Sequence, residues 1–183
     1  MLWKLHKTVV LVGMMGAGKT AVGKALAAKL DVPFLDSDAE IVNAANMSIS
    51  EIFERDGEPF FRARESEVIA RLLKGTPCVL STGGGAFLAQ RNRTLISQRG
   101  VSVCLDADLP LLWSRVKSKD LRPLLRTPDP LATLTELFEK RTPTYALADI
   151  SVPTSAVYSI EDMAERVAQA LRARADVLES EDA

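Results

Sequence analysis

A lysine and a hydroxyl follow three glycines at fixed offsets in Gly13-Met14-Met15-Gly16-Ala17-Gly18-Lys19-Thr20, the pattern G-x-x-x-x-G-K-[ST]. Glycines at these positions let backbone N–H groups curl around a polyphosphate, and the N-terminus of a following helix attracts the anion. Lys19 then reaches the outer phosphates, and the Thr20 hydroxyl is a ligand for Mg²⁺. The plain alternative is a glycine-rich turn between a strand and a helix. The motif sits between an apolar, β-branched run and a helical pattern, which favours a nucleotide site.

Two carboxylates at i and i+2 follow in Asp36-Ser37-Asp38. One suits a metal shell and the other suits accepting a proton from a hydroxyl nucleophile. The competing reading is that Ser37 or Asp38 caps the next helix. Gly83-Gly84-Gly85 exposes backbone N–H groups and leaves room for a ligand, or is only a flexible turn. Arg62, Arg64, Arg122 and Arg141 are candidates for gripping carboxylates or phosphates bidentately, and residue type alone does not choose among them. Phe53, Phe60, Phe61 and Trp113 read mostly as apolar core. Cys78 and Cys104 read as inert buried thiols. His6 is the one histidine, so chemistry built on a catalytic histidine or a histidine-rich metal site is disfavoured.

These groups need a scaffold that carries them to one edge. Thr8 to Val12 is a continuous apolar run and reads as a buried parallel strand. Val32 to Leu35, Cys78 to Ser81, Val101 to Leu105 and Ile150 to Val152 read as further strands. Helical patterns cover Lys19 to Leu30, Ser37 to Asn46, Ser50 to Asp56 (capped by Ser50), Glu58 to Lys74, Leu88 to Arg99, Asp108 to Lys117, Leu131 to Leu147 (interrupted at Pro143) and Ile160 to Val177. Ser118 to Pro130 is charged and irregular, and Glu179 to Ala183 reads as a frayed acidic tail. The alternation predicts an α/β fold, a parallel sheet with right-handed crossovers. Such sheets bind ligands beyond the carboxyl ends of their strands, where the phosphate loop, Asp36, the triple glycine and Asp106 all fall.

The 183 residues suit a single domain. Lys plus Arg number 23 and Asp plus Glu 24, giving a net charge of -1, which counts against wrapping nucleic acid or coating an anionic membrane. No apolar run reaches the length of a membrane span. No signal peptide is expected, and two cysteines fit a reducing compartment, so the cytoplasm is the expected location. Nothing in the sequence demands an oligomer, so a monomer is expected.

In combination these motifs resemble the shikimate kinases, over about Thr8 to Val152. The phosphate loop, Asp36-Ser37-Asp38, Gly57-Glu58-Pro59-Phe60-Phe61-Arg62, Ser81-Thr82-Gly83-Gly84-Gly85, Arg122-Pro123-Leu124-Leu125 and Arg141-Thr142-Pro143-Thr144-Tyr145 appear in that family's order. The resemblance implies the nucleoside-monophosphate-kinase fold, a three-layer sandwich around a five-stranded parallel sheet. It implies a substrate-binding segment at about 37–65 and a lid at about 117–130. The implied reaction is in-line phosphorylation of a shikimate hydroxyl by ATP.

The same resemblance assigns roles. Asp38 would hold the shikimate hydroxyls and serve as base. Arg62 and Arg141 would pair with the carboxylate, and Gly83, Gly84 and Gly85 would meet the substrate through their backbone. Gly13 through Thr20 would cradle ATP, Thr20 would ligate Mg²⁺, and Asp36 would lie near the metal through water. Lys19 and Arg122 would offset charge in transfer, and Arg115 would lie near the adenine. A kinase of another small hydroxy acid such as gluconate, and a non-catalytic nucleotide-binding module, are the alternatives.

Overall fold

The computed structural model describes residues 2–117 and 123–181. Seven strands and eight α-helices follow in chain order: β1 (Trp3–Leu5), β2 (Thr8–Val12), α1 (Lys19–Leu30), β3 (Phe34–Asp36), α2 (Ser37–Ala45), α3 (Ile49–Asp56), α4 (Glu58–Leu73), β4 (Val79–Ser81), α5 (Gln90–Arg99), β5 (Gly100–Asp106), α6 (Leu109–Val116), α7 (Pro130–Tyr145), β6 (Ile150–Pro153), α8 (Ile160–Arg172) and β7 (Leu178–Ser180). Short 3₁₀ turns occupy Ala86–Leu88 and Pro123–Leu125.

Strands β3-β4-β2-β5-β6 form one sheet in that order, every pairing parallel. Central β2 is buried along its whole length, as its unbroken apolar sequence requires. The chain steps from β2 outward to β3 and then back across to β4, β5 and β6. Right-handed crossovers therefore put α1 on one face and α4, α5 and α7 on the other, and α8, which follows the last strand of the sheet, packs on α1. The packing of α4 on α5 agrees. The order reverses at β2, so a crevice opens at its carboxyl end, where the phosphate loop begins. A second, smaller apolar cluster of Ile41, Ile52, Phe61 and Val68 ties α2, α3 and α4 together beside the main core.

Four local expectations are corrected. Ser48, not Ser50, caps α3, its hydroxyl accepting from the Glu51 N–H at 3.1 Å. A helix from Ile49 turns Ile49 and Phe53 onto the small cluster with buried Ile52, which a start at Ser50 would forgo. Helix α7 runs unbroken through Pro143, because a proline this near the end removes only one hydrogen bond from the last turn. The helix expected from Leu88 begins at Gln90, after a separate 3₁₀ turn. Of the expected frayed tail, Glu179 and Ser180 belong instead to strand β7, antiparallel to β1 with Leu5 opposite Leu178, while Asp182 and Ala183 lie outside the described residues. His6 and Lys7 reach Glu179 and Asp176 at 2.9 and 3.1 Å, so polar side-chain contacts flank the β1–β7 pairing.

Candidate active site

The loop from Gly13 to Gly18 joins β2 to α1. Gly16 and Gly18 hold φ of +83° and +100°, a region that side chains rarely adopt, so the turn requires glycine there. Lys19 folds back and donates from Nζ to the carbonyl oxygens of Gly13 (2.6 Å) and Met14 (3.2 Å). Thr20 is exposed in the first turn of α1. Arg115, on α6, donates from Nη1 to the carbonyls of Gly16 (3.0 Å) and Ala17 (3.1 Å), bracing the loop from the side.

Asp36 ends β3 and caps α2, its Oδ1 accepting from the N–H groups of Asp38 (2.9 Å) and Ala39 (3.2 Å). The cap that the competing reading gave to Ser37 or Asp38 is supplied by Asp36 instead. Asp38 is released from that duty, and its carboxylate faces the triple glycine.

Each of those three glycines lies against one charged side chain. A Cβ on Gly83 would stand 2.9 Å from both carboxylate oxygens of Asp38. One on Gly84 would stand 3.1 Å from Nη1 of Arg141 and 3.8 Å from the Tyr145 hydroxyl. One on Gly85 would stand 2.6 Å from Nη1 of Arg62. A glycine run at this edge is thus what lets a carboxylate from α2, a guanidinium from α4 and another from α7 gather over one short piece of backbone. Beyond the two arginines opens a cavity of about 520 Å³, with Glu58, Leu137 and Lys140 also in its wall, a size common for small-ligand sites.

One member of this cluster, Glu65, escaped the sequence reading, and another, Tyr145, was read only as the end of a motif with no role assigned. Glu65 is 1% exposed and accepts from Arg62 Nη1 at 3.0 and 3.3 Å. Tyr145 is buried and donates its hydroxyl to the Gly84 carbonyl. Burial raises the Tyr145 phenol above its usual 10.0, with Arg141 opposing, so it remains a donor throughout the neutral range. Spacing was the available signal: Glu65 lies three residues after Arg62, and Tyr145 four after Arg141, so each pair shares a helix face.

Burial pushes the Glu65 carboxyl above its ordinary 4.5, the Arg62 guanidinium opposes this, and the Asp38 charge adds to it. The folded protein therefore binds this proton more tightly than the unfolded chain. The group's contribution to stability is complete below pH 4.5 and is lost as pH rises through the elevated folded value. Glu65→Gln removes that dependence. Urea denaturation at about pH 5 and about pH 8 should show the variant gaining on the parent as pH rises. An equal gap at both values would exclude Glu65 as the titrating group.

Cys104, on β5, is pushed up to about 11 by burial and the Asp106 charge against the pull of Lys19, which agrees with an inert thiol. Arg122 and residues 118–121 of the expected lid lie outside the described residues. Among the described residues no group of three or more His, Cys, Asp or Glu side chains could cage a metal.

The family model for shikimate kinase matches residues 15–172. The chain is 70% identical to the shikimate kinase of Ruegeria pomeroyi over 175 residues, 96% of this chain and 90% of that one. It is 63% identical to that of Cereibacter sphaeroides over 179 residues, 98% of this chain and 89% of that one. The structure is similar to that of shikimate kinase from Acinetobacter baumannii in complex with shikimate, with a TM-score of 0.84 and 38% identity over 91% of this chain and 93% of that one.

Proposed function

The chain belongs to the shikimate kinase family, and from that premise we infer the work of each residue in the cleft. The reaction transfers the γ-phosphoryl group of ATP to a hydroxyl of shikimate, giving shikimate 3-phosphate and ADP on the way to the aromatic amino acids. Membership in the family sets aside the gluconate-kinase and non-catalytic alternatives.

The placing of one charged group against each of three glycines carries the site assignment. Arg62 and Arg141 grip the shikimate carboxylate, each as a planar fork. Asp38 holds the ring hydroxyls at the other end and accepts the proton of the attacked one. The backbone of Gly83, Gly84 and Gly85 forms the floor. This arrangement matches a rigid ring with an anion at one end and hydroxyls at the other.

ATP lies with its phosphates on the backbone N–H groups of residues 13 to 18. Lys19 exchanges its carbonyl contacts for phosphate oxygens and offsets the charge that spreads during transfer. Arg115 reaches the adenine side from the loop it braces. Thr20, and Asp36 through water, would hold Mg²⁺, which when bound neutralises phosphate charge. Arg122 is assigned by its motif alone, as the lid residue that closes over the phosphates from about 117–130. Closure over the segment at about 37–65 excludes water and limits hydrolysis of ATP.

The site assigned above is complete within one chain, so the proposed mechanism requires no second copy. No helix among the described residues is long and apolar enough to cross a membrane. With two buried free cysteines, this supports the cytoplasm as the place of action.

The direct test is a coupled ADP-release assay with the purified protein, ATP and Mg²⁺, comparing shikimate, gluconate and no acceptor, and repeated with the metal chelated. Turnover is expected with shikimate alone and only with the metal. Arg141→Lys replaces a fork by a point charge and should raise the shikimate KM by about 10-fold or more with the ATP KM unchanged. An unchanged shikimate KM would remove Arg141 from the carboxylate site.

A further inference from the structure

We propose that Arg91, Asn92 and Arg93, three consecutive residues in the first turn of α5, are positioning residues that lock the triple-glycine turn to helix α4 and so hold Arg62 at its working distance from the glycine backbone. The inference rests on the assignment of Arg62 to the shikimate carboxylate.

Each of the three side chains reaches a different backbone target. Arg91 donates from Nη2 to the carbonyl of Arg62 itself, on α4, at 2.9 Å. Asn92 donates from Nδ2 to the Ala86 carbonyl at 2.8 Å, while its Oδ1 accepts from the Ser66 hydroxyl at 2.7 Å. Arg93 donates from Nη1 to the carbonyls of Phe87 (2.7 Å) and Leu88 (2.8 Å). The 3₁₀ turn after the triple glycine thus has all three of its carbonyls, 86, 87 and 88, satisfied by consecutive side chains of the next helix.

The middle member is the strongest link. Asn92 is 0% exposed and Ser66 is 7% exposed, so their hydrogen bond runs where water cannot substitute. Ser66 lies one helical turn beyond Arg62 on α4, and Ala86 directly follows Gly85. The bonds and the chain therefore link Arg62, Ser66, Asn92, Ala86 and Gly85 in series, and the Arg62 guanidinium closes the circuit by filling the space a Gly85 Cβ would take. A side-chain fork this close to backbone tolerates little relative movement of its two walls. Shifting the glycine turn against α4 misplaces the fork from its anion without touching the phosphate loop.

The test compares Ser66→Ala, Asn92→Ala and the pair, with Arg62→Lys as a control, in steady-state kinetics and thermal melts of the purified enzyme. Ser66→Ala should raise the shikimate KM about 3-fold and Asn92→Ala about 10-fold, the sizes expected for one and for two or more buried hydrogen bonds. The ATP KM and the kcat at saturating shikimate should stay within about twofold of the parent, and Ser66→Ala should add little in the Asn92→Ala background. A purely structural role predicts lower melting temperatures with the shikimate KM unmoved, or equal shifts in both substrates' KM, and either result overturns the proposal. If Asn92→Ala does not fold, Ser66→Ala decides alone. Arg62→Lys raising the shikimate KM while Ser66→Ala does not would overturn only the positioning role. Arg62→Lys leaving it unchanged would overturn the carboxylate assignment and this inference with it.

Discussion

Asp38→Asn is expected to lower kcat by about 10²- to 10⁴-fold, the range for losing a general base, with ATP binding largely retained. The substitution keeps the shape of the side chain and removes its charge and its capacity to take a proton. Its selectivity follows from the division of labour at the end of β3. Asp36 carries the helix cap through its Oδ1, so α2 does not depend on the Asp38 carboxylate for its start. Asp38 sits against Gly83, on the substrate side, while the nucleotide loop hangs from β2, with β4 between β2 and β3. Steady-state kinetics with both substrates, together with equilibrium ATP titration, would check this. Turnover near the parent's would exclude Asp38 as the base and leave it a positioning contact for the ring hydroxyls.

The parts of this site legible in the sequence are those fixed by local stereochemistry. A glycine-rich loop followed by Lys-Thr can be read because backbone geometry demands those residues at those offsets, and an unbroken apolar run such as Thr8–Val12 announces a strand buried on both faces. Buried charge is the opposite case. On the sequence Glu65 looks like one more solvated position of a charged helix, and Arg91-Asn92-Arg93 looks like a polar helix start. Only the fold shows that Glu65 lies beneath Arg62 and that the three polar side chains reach carbonyls of α4 and of the turn after the triple glycine. The β1–β7 pairing was illegible for a different reason. Strand Trp3–Leu5 finds its partner at the far end of the chain, and three residues with no hairpin turn carry no local signal of long-range pairing.

Gly85→Ala should produce a folded protein that has nearly lost its grip on shikimate, with the shikimate KM raised by about 10- to 100-fold, the loss expected for a charge-assisted pair. Gly85 has φ of -88° and ψ of -12°, an ordinary helical conformation that alanine adopts freely. The backbone therefore gives no reason for glycine here. The reason is the Arg62 guanidinium, whose Nη1 and Cζ would lie 2.6 and 2.7 Å from the new methyl carbon. The displaced group is the far end of a flexible side chain, so it swings away at little cost to packing, but it leaves the carboxylate site as it does so. It also leaves Glu65, which then holds a buried charge with its partner withdrawn. What stability cost appears should therefore grow with pH, as Glu65 is forced to ionise without Arg62 beside it. Melting temperatures across pH, read beside the two KM values, separate this account from simple misfolding. Misfolding would lower the active fraction and leave the shikimate KM of the remainder unchanged, whereas displacement of Arg62 raises that KM in a protein that still binds ATP.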